Sequence, residues 1–204
     1  MELMTRIKIW TPVLGAVIAA ALLPALVQPA CGAPSRDGSH DFDFNFGVWH
    51  THIRRILDPF DVASKSSEAD GTVHVRKVWG GRAALEEIEA DGPNGHWEGM
   101  TLFLYNPQSQ QWSQSFISSQ VGTLNAPLVG SFHDGTGELF SQDSFRDRSI
   151  LVRGRWSDIQ ADSHRYEESY SDDGGASWHP AFIAQLTRTQ DPSRAQGDVP
   201  HDFD

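Results

Sequence analysis

From His40 onward the apolar positions recur every second residue, the period of a β-strand rather than the 3.6 of a helix. Trp49, Thr51, Ile53, Arg55 and Leu57 fall on one face of a strand, and Val48, His50, His52, Arg54 and Ile56 on the other. Val73, Val75, Lys77 and Trp79 alternate in the same way with Thr72, His74, Arg76 and Val78. Leu85 and Ile88 mark a less regular strand, and Met100, Leu102 and Leu104 face away from Thr101, Phe103 and Tyr105. Trp112, Gln114 and Phe116 resume the pattern after a turn at 106–110, and further runs cover 127–133, 137–145, 149–157, 163–171 and 178–189. Asp70-Gly71, Gly80-Gly81, Asp91-Gly92, Asp134-Gly135 and Asp173-Gly174-Gly175 supply the turns. About ten short strands with short connections predict an all-β fold, a closed antiparallel up-and-down barrel whose closure removes exposed strand edges. A two-sheet β-sandwich is the alternative.

The N-terminus breaks this pattern. Arg6 and Lys8 precede an uncharged apolar run over 9–27, and small residues cluster at Ala30, Cys31, Gly32 and Ala33. Basic head, apolar middle and small-residue exit predict a secretory signal peptide over 1–32 and an exported, periplasmic or secreted product. Pro12 and Pro24 weaken the rival reading of an uncleaved membrane anchor. A lipidated Cys31 is a further alternative, although Val27, Gln28, Pro29 and Ala30 are not the residues a lipid-attachment site wants. Cys31 is the one cysteine, so the fold must rest on its core rather than on a disulfide.

A short linker over 33–39 leads into the barrel domain, 40–189, and 190–204 reads as a disordered acidic tail. Its end, His201-Asp202-Phe203-Asp204, repeats His40-Asp41-Phe42-Asp43. Loss of 1–32 leaves 14 basic against 26 acidic side chains, a net charge of −12. Such a surface repels phosphate backbones and anionic lipid, which argues against nucleic acid as a partner and against stable membrane insertion after cleavage.

His40-Asp41-Phe42-Asp43-Phe44 with Gly47-Val48-Trp49 resembles the opening of a bacterial family of exported lipocalin-like (calycin-like) barrels with no assigned activity. His52-Ile53-Arg54-Arg55, Glu98-Gly99-Met100, Tyr105-Asn106-Pro107 with Trp112, Trp156, and the hairpin from Tyr170 to Trp178 carry the likeness over most of 40–189. Gly-x-Trp also resembles the lipocalin opening. That resemblance implies that Trp49 closes one barrel end with Arg188 lying over its ring, a cation–π contact of roughly 0.5–2 kcal/mol.

Several clusters are candidates for chemistry. His50 and His52, two strand positions apart, present imidazoles on one face, with His74 a possible third metal ligand; Arg54 and Arg55 nearby oppose a bound dication. No metal or cofactor is predicted, with haem or a divalent metal at His50 and His52 left open. Arg54, Arg76, Arg153 and Arg155 would hold an anionic ligand if they faced inward; the competing reading pairs them with Glu86, Glu89, Glu167 and Glu168 on the outer wall. Trp112, Phe116, Tyr166 and Tyr170 form the aromatic walls of a small-molecule pocket. Ser171-x-Asp173-x-Gly175-x-Ser177-Trp178 fits the Asp-box of sialidases, present here once and therefore a turn stabiliser. No nucleophile elbow or phosphate-cradling loop occurs.

The leading expectation is an exported barrel that binds a small apolar or amphiphilic molecule. Two alternatives accompany it: a metal-independent isomerase, cyclase or lyase using His52, Arg54 and Glu168 as acid–base groups, and an envelope interaction protein with a fully packed barrel.

Overall fold

The alternating segments form ten strands in the computed structural model, which describes residues 37–189. They are β1 (Gly47–Ile56), β2 (Ser66–Val78), β3 (Ala83–Gly92), β4 (Gly95–Asn106), β5 (Gln111–Ser118), β6 (Leu128–His133), β7 (Thr136–Phe145), β8 (Arg148–Ser157), β9 (Ser163–Ser171) and β10 (His179–Arg188). Each pairs antiparallel with its neighbours in sequence, and β1 also pairs with β10, so the sheet is a closed lipocalin-like barrel and not a sandwich. Trp49 lies opposite Arg188 on one side and Val73 on the other, which fixes the closing register. The signal peptide expected over 1–32, with Cys31, and the tail over 190–204 lie outside the described residues.

Two-residue turns with positive φ at both positions join β6 to β7 through Asp134-Gly135 (49° and 75°) and β7 to β8 through Arg146-Asp147 (46° and 65°). That backbone twist matches the twist of paired strands. The Asp-box motif closes the β9–β10 hairpin. Asp173 accepts from the Ser171 hydroxyl (2.7 Å), the Ser177 N–H (2.9 Å) and the Ser177 hydroxyl (2.6 Å), and the Ser177 bonds above all hold its carboxyl well below the ordinary range.

One end of the barrel is stoppered by the chain itself. The segment before β1 crosses that end and turns through a 3-10 helix at Asp43–Asn45. Phe42, 1% exposed, enters the interior, where Phe103, Trp112, Phe132 and Trp156 surround it at centroid distances of 4.7, 5.0, 4.9 and 5.5 Å. The buried indoles satisfy their polar edges on the same segment: Trp49 donates to the Asn45 carbonyl (2.8 Å) and Trp112 to the Gly38 carbonyl (2.8 Å).

Arg188 locks the plug in place. Its guanidinium carbon lies 3.9 Å from the Trp49 ring centroid, while its nitrogens donate to the carbonyls of Phe46 (3.0 Å), Phe44 (3.3 Å) and Ala161 (3.0 Å). Gly47 precedes Trp49 for a steric reason. Its φ is 124°, and a Cβ there would stand 2.6 Å from the Arg188 guanidinium. The described chain also leaves at this end, where the Thr189 N–H donates to the Val48 carbonyl (3.0 Å). Truncating Phe42 to Ala should cost about 3–5 kcal/mol, a loss that urea denaturation would read as a lower midpoint with an unchanged slope. Wild-type stability in that variant would mean the plug is not part of the folding unit.

Candidate ligand-binding site in the barrel

The barrel interior divides into two halves of different character. Around the plug it is dry: Trp49, Phe103, Leu139 and His164 are each 0% exposed. His164 packs between Trp49 (4.4 Å), Phe44 (5.1 Å) and Trp156 (5.7 Å), and neither of its ring nitrogens finds a hydrogen-bond partner. Burial, assisted by the Arg188 charge, pushes it down to about 3.

Toward the opposite mouth the inward-facing side chains keep accessible surface. Trp97, Phe116, Tyr170 and Phe182 are all only partly buried, although they point away from the outer wall. Phe116 lies flat against β4 because position 99 is glycine; a Cβ there would meet the ring at 2.7 Å. Tyr166 gains room in the same way, its hydroxyl lying 2.8 Å from where a Cβ on Gly154 would stand. Backbone without side chains thus accommodates rings in the wall.

Polar groups stand between the two halves. Trp156 donates to Gln114 Oε1 (3.0 Å), Thr101 Oγ1 to Glu86 Oε1 (2.8 Å), and Tyr170 OH to Glu168 Oε1 (3.0 Å). The Tyr166 hydroxyl approaches both Gln114 and Glu168. Burial pushes the Glu86 carboxyl above its ordinary value, partly offset by the Thr101 hydroxyl and the nearby Asn45 amide. Burial likewise raises Glu168, partly offset by the Tyr170 hydroxyl and the Arg55 charge. Asn45 sits near enough to Glu86 to favour its ionised form, yet neither end of the Asn45 amide meets the geometry of a hydrogen bond, and the Thr51 hydroxyl is also buried without a partner. Buried polar groups of this kind cost free energy unless water or another polar group satisfies them.

The expected site residues divide across the wall. Glu168, Phe116, Tyr166 and Tyr170 face inward on the half toward the mouth, whereas Trp112 is 1% exposed and committed to the plug. His52 and Arg54 are exposed on the outer wall, because the inward positions of β1 are Trp49, Thr51 and Ile53; they share no cavity with Glu168. Both ring nitrogens of His52 meet carboxylates, Asp70 at 3.0 Å and Glu68 at 3.1 Å, and its pKa is raised chiefly by the Asp70 bond. His50 stands 3.7 Å from the same Asp70. Among the described residues no group of three or more His, Cys, Asp or Glu is placed to hold a metal ion.

Of the two readings open to the arginines the structure takes the outer one, while two of the glutamates do not accompany them. Arg54 and Arg76 are exposed outside, and Arg153 and Arg155 each lie 3.8 Å from Glu138 on the outer wall, with Arg153 over Trp178 (4.6 Å). Val75, Val152 and Gly154 take the inward positions beside them, so these four arginines do not converge in the lumen. Glu86 and Glu168, which the outer-wall reading pairs with these arginines, face in; for Glu168 this is the side that the acid–base reading requires. Alternation marks two faces without saying which is inside, and the outward Met100, Leu102 and Leu104 of β4 make polarity a misleading guide.

Two hollows of about 270 and 330 Å³ lie on the outer wall, over β6–β7 and over β3–β5. No helix among the described residues is long and apolar enough to cross a membrane.

No protein-family model and no curated protein matches the chain. Among solved structures it is similar to an S-type phycobiliprotein lyase from Guillardia theta, at 14% identity and a TM-score of 0.53 over 77% of this chain and 95% of that one. It also matches a de novo designed fluorescence-activating β-barrel, at 14% identity and a TM-score of 0.40 over 76% of this chain and 99% of that one. A redesigned β-barrel matches at 9% identity and a TM-score of 0.40, over 78% and 100% of the two chains. At these identities the first of the three bears on fold alone, and it agrees with the strand order and closure described above: the chain folds as a lipocalin-like barrel.

Proposed function

We propose that this protein binds a small apolar or amphiphilic molecule in the half of the barrel opposite the plug, and that it does so after export to the cell envelope. One observation carries the reading: inward-facing Trp97, Phe116, Tyr170, Phe182, Glu86 and Glu168 retain accessible surface inside a closed wall. A barrel packed throughout, like its plugged half, would bury them. Aromatic walls with a few convergent polar groups are the composition of small-molecule sites. The basic, apolar and small-residue succession of 1–32 supports export. The barrel shared with a phycobiliprotein lyase is compatible with the reading and adds nothing to ligand identity.

Nile red, a neutral apolar dye that brightens out of water, tests the site directly. The purified protein should bind it saturably, and Phe116→Ala should weaken binding by about 1–2 kcal/mol, or roughly five- to thirty-fold. Equal affinity in a folded Phe116→Ala variant would count against a lumenal site.

Buried acids impose a stability cost that can be measured separately. Because the folded-state pKa values of Glu86 and Glu168 are raised, their contribution is fully present below the ordinary value of 4.5 and is lost as pH rises through the folded value. Glu86→Gln and Glu168→Gln keep the shape and remove the charge. Each should therefore stabilise the protein by about 1–3 kcal/mol at pH 8 and by little at pH 4. His164, held down to about 3, acts in the opposite sense and loses stability for the protein as pH falls below 6.5. Variant and parent are accordingly compared at each pH by chemical denaturation. A Gln variant less stable than its parent at pH 8 would show the carboxylate to be a structural partner instead.

A further inference from the structure

Resting on the ligand-binding reading above, we infer that the lumen takes a cationic amphiphile: an apolar or aromatic body carrying an ammonium-type or protonated heterocyclic nitrogen, met by Glu86 and Glu168. The charges that surround each of these two acids are unbalanced. Arg55 acts on Glu168, but so does Asp143 with the opposite effect, and no charged neighbour among the described residues offsets Glu86. The protein donors to these carboxylates are neutral hydroxyls, Thr101 for Glu86 and Tyr170 for Glu168. A cation entering the lumen supplies the missing partner, and a desolvated carboxylate that gains one is stabilised in its ionised form.

A second and independent observation points to the same place. The Asn45 side chain, in a residue 1% exposed, reaches the surroundings of Glu86 and completes no hydrogen bond at either its oxygen or its nitrogen. Its oxygen is an acceptor for the N–H of a nitrogenous head group. Trp97, Phe116, Tyr170 and Phe182 are only partly buried and stand toward the mouth, where an apolar body would follow the head group in and where ring faces attract cations. An anionic ligand would find the reverse, since Arg54, Arg76, Arg153 and Arg155 lie on the outer wall. Net charge −11 favours the approach of cations at longer range.

The test uses two dyes with the same fused ring system, Nile blue, a cation at neutral pH, and Nile red, which is neutral. At pH 7 and physiological salt the full chain should bind Nile blue at least about tenfold more tightly than Nile red, the worth of one charge-assisted bond. In Glu86→Gln/Glu168→Gln that preference should fall to about twofold or less, whereas Glu87→Gln, which removes an exposed acid from the outer face of the same strand, should retain it. The single variants, each checked for folding by circular dichroism, should give intermediate ratios. If Nile red binds and Nile blue binds no more tightly, the cationic assignment falls and the ligand-binding reading stands. If the preference survives in the double variant, or is lost equally in Glu87→Gln, the charge is read by the surface and the assignment again falls. If neither dye binds, both readings fail together.

Discussion

The Arg188 side chain ties together parts of the chain that no strand pairing could hold. Its guanidinium faces the Trp49 ring on one side and bonds three carbonyls, two of them in the segment that carries Phe42 into the barrel. Lysine could not replace it, having neither the planar face nor the spread of donors. Around this contact the sequence is determined residue by residue. Gly47 suits a φ of 124° that other residues rarely adopt, and Trp49 supplies both the ring under the guanidinium and the indole N–H that bonds the Asn45 carbonyl. Phe42 follows from the aromatic cage that awaits it. A barrel needs both ends closed to water or one end left for use, and here the closure is built from the segment immediately ahead of the first strand.

Closing one end changes what the other can contain. With the hydrophobic work concentrated around Phe42, the interior beyond it carries the inward acids Glu86 and Glu168, and the Asn45 amide and Thr51 hydroxyl are buried without a hydrogen-bond partner between the two halves. Natural cores avoid such groups unless something is gained from them. The inward glycines belong to the same arrangement, because Gly99 and Gly154 let aromatic rings lie along the wall instead of crossing the lumen.

The sequence made the fold legible because a strand's period is hard to mimic and because Asp-Gly and Gly-Gly pairs mark the turns. The contact between Trp49 and Arg188 was legible through family likeness, not through spacing. The Arg146-Asp147 turn was not, since neither residue announces a positive φ, which the pairing of Phe145 with Arg148 imposes. Nor was the orientation of each strand. On β1 the mixed polarity of both faces left the choice open, and on β4 the aliphatic face turned out to be external. That one ambiguity accounts for the separation of His52 and Arg54 from Glu168, and for the inward placement of Glu86. The role of Phe42 is not legible in the sequence because the residues before a first strand carry no period; His40-Asp41-Phe42-Asp43-Phe44 stands out there only as a motif shared with the family it resembles.

Both ends of the described domain meet at the stoppered face: Gly38 is held there by Trp112, and Thr189 by Val48. A segment joined at either end therefore starts from the stoppered face, and the strand connections that rim the opposite end carry neither terminus of the described domain.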